Sequence, residues 1–85
     1  MANLNYAKKN LQKADFKGKN LAFANMRGAD LQEADLREAN LKEADLREAN
    51  LKGADLSRAN MDGVFLRDAN LRGVACPIKL YHSLS

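Results

Sequence analysis

The residues best able to do chemistry in this 85-residue chain recur at fixed intervals. Four glutamates, Glu33, Glu38, Glu43 and Glu48, follow one another at every fifth residue, and three arginines, Arg27, Arg47 and Arg67, at every twentieth. Carboxylates gathered in a ring would hold a cation or a basic protein, and arginines in a row would meet phosphates. Arg37, Lys42 and Arg47 lie between or beside the glutamates, and Asp45, Glu48 and Asp68 lie near the arginines, so a solvated, locally neutralised surface is expected of both groups. The usual catalytic side chains are isolated. His82 has no second His or Cys near enough in sequence to suggest a metal site, and the lone Cys76 has no neighbouring base. Ser57, Ser83 and Ser85 lack the strand–turn–helix setting of a nucleophile elbow, and no glycine-rich phosphate loop occurs. The expectation is a protein that is not an enzyme and uses no cofactor or metal.

The element that must position these charges is set by a second period. From Leu11 to Leu71 a large apolar residue returns at every fifth position: Leu11, Phe16, Leu21, Met26, Leu31, Leu36, Leu41, Leu46, Leu51, Leu56, Met61, Leu66 and Leu71. A five-residue step turns a helical side chain by about 140°, which scatters the leucines around the helix. In a flat strand an odd step sends successive leucines to opposite faces, which suits only a strand buried on both sides. The polar residues between them exclude that. Ala, Leu, Glu, Lys and Arg are good helix formers, so propensity alone would predict one long helix, but the period overrules it. A unit this short cannot bury its own apolar side chain and must stack on copies of itself, which makes a solenoid.

Around each apolar centre the neighbours obey a rule. Two positions before it, Ala occurs in ten of thirteen units, and one position before it Asn or Asp occurs in twelve of thirteen, Phe65 being the departure. The two positions after it are mostly charged or Gly, as in Arg37-Glu38 and Lys52-Gly53. The unit Ala-(Asp/Asn)-Leu-x-x therefore reads as a very short extended piece followed by a corner. Ala and Leu point inward, the Asx points out, and its side chain can bond nearby backbone at the turn.

Over residues 9 to 75 this pattern closely resembles the pentapeptide-repeat proteins. The resemblance implies an all-β fold, a right-handed quadrilateral β-helix with four pentapeptides per square coil, so that residues twenty apart stack, giving slightly more than three coils. It places Leu11, Leu31, Leu51 and Leu71 in one column, Phe16, Leu36 and Leu56 in the next, Leu21, Leu41 and Met61 in the third, and Met26, Leu46 and Leu66 in the fourth, with Tyr6 and Cys76 as candidate extensions. It also puts Glu33, Glu38, Glu43 and Glu48 at the four corners of one coil and Arg27, Arg47 and Arg67 on one face.

The exceptions concentrate at the ends. Residues 1–8 are expected to form an N-terminal cap or lead-in, 9–75 the repeat, and 76–85 a C-terminal cap or tail. Lys9 and Lys19 stand where Ala would face inward, and they are expected to snorkel outward from a distorted first coil. After Pro77, the residues Ile78, Leu80, Tyr81 and Leu84 are candidates to cover the last coil or, failing that, to leave an edge for a second copy. Many members of the resembled family dimerise through such an end, which makes a homodimer the favoured oligomer. Phe65 and Phe23 face outward with Met61 and Val64 near Phe65 in sequence, a candidate apolar patch.

The net charge is only +3, but residues 1–30 carry six Lys or Arg against two Asp, so the first coil is cationic. One cysteine makes no intrachain disulfide, and no signal-like or membrane-spanning apolar run is seen, so a cytoplasmic address and no membrane partner are expected. The function expected is that of an interaction or scaffold protein with an unknown protein partner, using Arg27, Arg47, Arg67, Phe65 and Phe23. The alternative is a DNA-mimicking inhibitor of DNA gyrase or another type II topoisomerase, as some proteins of the resembled family are; the short, basic chain argues against it. Nucleic-acid binding through Lys8, Lys9, Lys13, Lys17 and Lys19 ranks below protein binding.

Overall fold

The computed structural model of the chain describes residues 4–75. Cys76, the candidate covering residues Ile78, Leu80, Tyr81 and Leu84, and His82 lie outside them. Eleven parallel bridges, from Asn5↔Asn25 to Asp55↔Ala75, each join residues twenty apart. Fourteen turns, each closed by a bond from the residue three beyond an apolar centre back to that centre's carbonyl, separate the bridges at five-residue intervals. Four such corners per twenty-residue coil make a four-sided β-helix. The first side stacks Asn10, Asp30, Asn50 and Asn70; the second Asp15, Asp35, Asp55 and Ala75; the third Asn20, Asn40 and Asn60; the fourth Asn5, Asn25, Asp45 and Phe65.

The five-residue rule follows from the fate of each backbone N–H. In the unit around Leu31 and Leu36, Leu31 N–H donates to Asn50 on the next coil, Glu33 N–H to Lys52, and Asp35 N–H back to Ala14 on the preceding one. Ala34 N–H closes the turn onto Leu31. Only the N–H just after the apolar centre has no backbone carbonyl, and the Asx side chain two residues earlier accepts it: Gln32 N–H bonds Asp30 Oδ1 at 3.2 Å. The same bond recurs in thirteen units at 3.0–3.2 Å. A backbone donor left unpaired is costly, so Asp or Asn is selected at each unit by this one bond. Phe65 cannot accept it. Phe65→Asn is therefore expected to stabilise the fold by about 0.5–1 kcal/mol, read as a higher urea midpoint; an unchanged or lower midpoint would contradict this role of the Asx.

Inside, Met26, Leu31, Leu36, Leu41, Leu46, Leu51 and Leu56 are fully buried, interleaved with alanines such as Ala29, Ala39 and Ala44. No polar or charged residue among those described is buried. Toward the N-terminal end Leu4, Tyr6, Leu11 and Phe16 are only partly buried. Tyr6 and Phe16, from opposite sides, meet edge to face with centroids 5.7 Å apart, an arrangement that fills the mouth of the coil with aromatic surface. The coils take in Leu4–Lys8, residues the sequence places in a lead-in: Tyr6 N–H donates to Asn25, and Lys9 N–H closes a turn onto Tyr6. The first coil is not distorted. Lys9 and Lys19 are exposed, yet their carbonyls accept from Asp30 and Asn40 at 2.9 Å as a regular alanine's would. The end position supplies the reason, because a side chain in the first coil can leave the column toward solvent without moving its backbone.

The second residue of every corner has positive φ. Nine are not glycine, among them Phe23 at 62°, Glu33 at 59°, Glu38 at 61°, Glu43 at 53° and Glu48 at 64°. Each costs about 1 kcal/mol of backbone strain relative to an ordinary conformation, and the ladder bonds on both sides hold it there. Corner residues also stack. A Cβ on Gly63 would stand 2.8 Å from Glu43 Cγ, whereas one on Gly18 would meet nothing within 4 Å. Both glycines have positive φ, so Gly18→Ala isolates the backbone cost, about 1 kcal/mol, and Gly63→Ala adds the displacement of Glu43. Chemical denaturation should rank Gly63→Ala below Gly18→Ala; equal losses would show that the corner column is looser than the structure draws it.

Candidate interaction surface

Among the described residues, outward positions carry all the charge except that of Lys9 and Lys19 at the first-coil end, and the coil pitch decides which charges meet. The arginine column lies at the corner between the fourth and first sides, and each member has an acidic partner. Arg47 grips Asp45 with two hydrogen bonds, Nε to Oδ1 at 2.9 Å and Nη2 to Oδ2 at 2.7 Å. Arg27 reaches across one coil to Glu48 at 3.3 Å, and Arg67 lies 4.0 Å from Asp68. The column is a salt-bridged surface with alternating sign.

Glu33, Glu38, Glu43 and Glu48 occupy the four corners of one coil, as the positive φ of each records. Corners point away from one another, so the four carboxylates form no common site. Glu48 pairs with Arg27 and Glu38 with Arg58 at 3.7 Å. Among the described residues no group of three His, Cys, Asp or Glu is placed to hold a metal ion.

Among the described residues, Phe23 and Phe65 are the two large apolar side chains left exposed, at 66% and 52%. They do not make one patch. Phe23 stands at a first-coil corner below Glu43 and Gly63, while Phe65 lies on the fourth side two coils on, above Asn25 and Asp45. The charged layer of Glu43 and Asp45 separates them.

A feature the five-residue period did not reveal lies on the second side. Asp15, Asp35 and Asp55 form a carboxylate ladder, and beside it run Lys17, Arg37 and Ser57. Arg37 binds Asp35 with Nε at 2.9 Å and Nη2 at 2.7 Å and lies 4.0 Å from Asp55, whose Oδ1 also accepts from Ser57 Oγ at 2.6 Å. Lys17, Arg37, Glu38, Ser57 and Arg58 line a shallow groove there. The twenty-residue spacing of Lys17, Arg37 and Ser57 was the available signal.

These contacts shift the acids. The hydrogen bond from Arg37 holds the Asp35 carboxyl down at about 2. Asp45 is lowered first by its hydrogen bond from Arg47, Asp55 by Ser57, and Asp30 by Gln12. A carboxyl depressed in the folded state contributes stability above its unfolded value, near 3.8, and that contribution is lost as pH falls through the folded value. The melting temperature is thus expected to hold above pH about 5 and to fall between about 4 and 2. Arg37→Gln should shrink that fall; an acid dependence identical in the variant would remove Asp35 from the account. The side chains are well exposed, so the effect is modest.

The family profile described as pentapeptide repeats matches residues 10–42 and 34–73. Among solved structures, a pentapeptide repeat protein from the Arabidopsis thaliana thylakoid lumen is 42% identical, over 87% of this chain and 51% of its own, with a TM-score of 0.86. Rfr23, a pentapeptide repeat protein from the cyanobacterium Cyanothece 51142, is 30% identical over 86% of this chain and 47% of its own, with a TM-score of 0.45. HetL from Nostoc sp. strain PCC 7120, a pentapeptide repeat protein involved in heterocyst differentiation regulation, is 33% identical over 89% of this chain and 41% of its own, with a TM-score of 0.33. The chain spans about half the length, or less, of these structures. No curated protein sequence matches it.

Proposed function

Since the chain belongs to the pentapeptide-repeat family, we propose that it is a non-catalytic interaction protein, a right-handed quadrilateral β-helix of slightly more than three coils that presents charge to a protein partner. The observation that carries this reading is the division between inside and outside. Every buried position described is apolar, so among the described residues no acid, base or nucleophile is held away from water. Among the described residues every charge reaches the surface, and all but Lys9 and Lys19 stand on a corner or a side at a spacing fixed by the backbone ladder. Such a surface is rigid before binding, which lowers the cost of recognition.

The Arg27, Arg47 and Arg67 column is the proposed contact face, because the alternating acids leave a partner with a defined pattern of sign to match. Native lysate from the source organism, passed over immobilised wild type and over the triple Arg→Glu variant, tests it. A protein retained by the wild type and lost with the variant is expected; identical or empty eluates would overturn the face. Gyrase inhibition stays second, since the basic first coil is the wrong sign for a DNA mimic. A homodimer through the C-terminal end is the proposed oligomer, decided by sedimentation.

A further inference from the structure

The first coil differs in chemistry from every coil above it. Three of its four corner regions carry lysine, namely Lys8 with Lys9, Lys13, and Lys17 with Lys19, and Asp15 is its one acid. Its fourth corner carries Phe23, the most exposed large apolar residue described. Between the corners, the partly buried Tyr6 and Phe16 rings close the mouth. The next coil carries glutamate at three of its corners, Glu33, Glu38 and Glu43, and Gly28 at the one stacked on Lys8.

Stacking another coil on this end is not an available use. Lys9 and Lys19 stand at positions whose equivalents Ala29, Ala49 and Ala39 are buried, so a further coil would have to enclose two ammonium groups in an apolar column. A second copy of the chain presents the same five lysines and is repelled. Asp30, Asp35 and Asn40 donate their N–H groups to Lys9, Ala14 and Lys19 of the first coil, whereas the equivalent Asn10, Asp15 and Asn20 have no carbonyl partner among the described residues, and such edge donors favour an anion.

We propose that the N-terminal end of the β-helix docks on an anionic lipid surface. First-coil cations, the exposed Phe23 ring and the Tyr6–Phe16 pair together match a plane of phosphates and carboxylates over apolar tails. A nucleic-acid backbone would take up the lysines, and single-stranded bases would stack on Phe23, but only a lipid surface sets a continuous apolar layer beneath the anionic plane; an RNA column separates the two. This is peripheral contact and involves no spanning segment, and it departs from the sequence expectation of no membrane partner. It goes beyond the protein-binding reading and uses a different surface, so either can fail alone.

The test is flotation of the 85-residue chain with vesicles of equal parts phosphatidylserine and phosphatidylcholine, against vesicles of phosphatidylcholine alone. At about 0.1 M salt the chain should float with the first and not the second, and binding should weaken as salt rises. Each lysine is worth about five-fold in partition, so Lys9→Gln with Lys19→Gln should reduce it by about 25-fold. Phe23→Ser should also reduce it, while Lys52→Gln on a later coil should not. Circular dichroism of each variant shows that the fold is retained. Equal behaviour with the two vesicles, loss with Lys52→Gln as large as with the first-coil pair, or retention on an RNA column without vesicle binding would each overturn the proposal.

Discussion

Leu41→Ala is expected to lower the stability of the folded chain by about 3 kcal/mol. Leu41 is fully buried, with Leu21 beneath it and Met61 above in the third-side column. Removing its isobutyl group loses transfer free energy and leaves a gap that the ladder cannot close. The hydrogen bonds from Leu41 N–H to Asn60 and from Asn60 N–H to Ala39 fix the spacing between coils. A domain of this size has a total stability on the order of 5–15 kcal/mol, so one such gap removes a large part of it. Urea denaturation gives the number. The same change at Leu11, which is only partly buried in the first coil, should cost clearly less. A loss at Leu41 below about 1 kcal/mol would mean that the column is not packed as described.

The larger effect belongs to an alanine. Ala39→Lys is expected to cost about 4 kcal/mol or more and to leave much of the chain unfolded. Lys19 occupies the equivalent place one coil earlier and is exposed, whereas Ala39 is fully buried between coils. An ammonium at position 39 has neither the open mouth nor a buried acid to pair with, since no polar group is buried among the described residues. Lys19→Ala is the matched control, with an expected change within about 0.5 kcal/mol. Circular dichroism melts of the two variants read both effects. A folded, stable Ala39→Lys would show that side chains at the inward positions are free to leave the column anywhere along the solenoid.

Most of the architecture was legible because it is one-dimensional. Once Leu36 is assigned to the interior, Ala34 and Leu56 follow from the period, and the structure buries all three. The Asx position was legible in type and in purpose, since a side-chain oxygen beside a turn has few other uses. What escaped was whatever depends on the geometry of the corners. Nothing in a glutamate signals positive φ, yet Glu43 and Glu48 adopt it, and the only hint was that Gly18, Gly28, Gly53, Gly63 and Gly73 share that place in the unit. The Asp35–Arg37 pair is two residues apart, a separation that in a strand would put both side chains on one face without bringing their ends together; the corner turns Arg37 back onto the carboxylate. Tyr6 and Phe16 are on opposite sides of a coil, and their contact needs the width of the interior.

The charge pattern was legible as composition and not as function. The sequence marks residues 1–30 as basic, but it does not separate Arg27, already paired with Glu48, from the lysines of the first coil. That separation divides the surface into a middle whose charges largely satisfy one another and an end where they do not. It also places Phe23 with the lysines and apart from Phe65. Lys8 and Tyr6, within the stretch 1–8 read as a cap or lead-in, belong to the coil whose end they shape, as Tyr6's place as a candidate extension of the fourth column had suggested.

Amide hydrogen exchange followed residue by residue tests the ladder on which every placement above depends. Leu31, Leu36, Leu41, Leu46 and Leu51 donate to the next coil at 2.7–2.9 Å and should exchange slowly. Gln32, Arg37, Lys42, Arg47 and Lys52 bond only a side-chain oxygen at the surface and should exchange fastest, giving a five-residue period through the middle of the chain. Protection that runs unbroken through these residues, or that rises and falls with a helical period, would contradict the account.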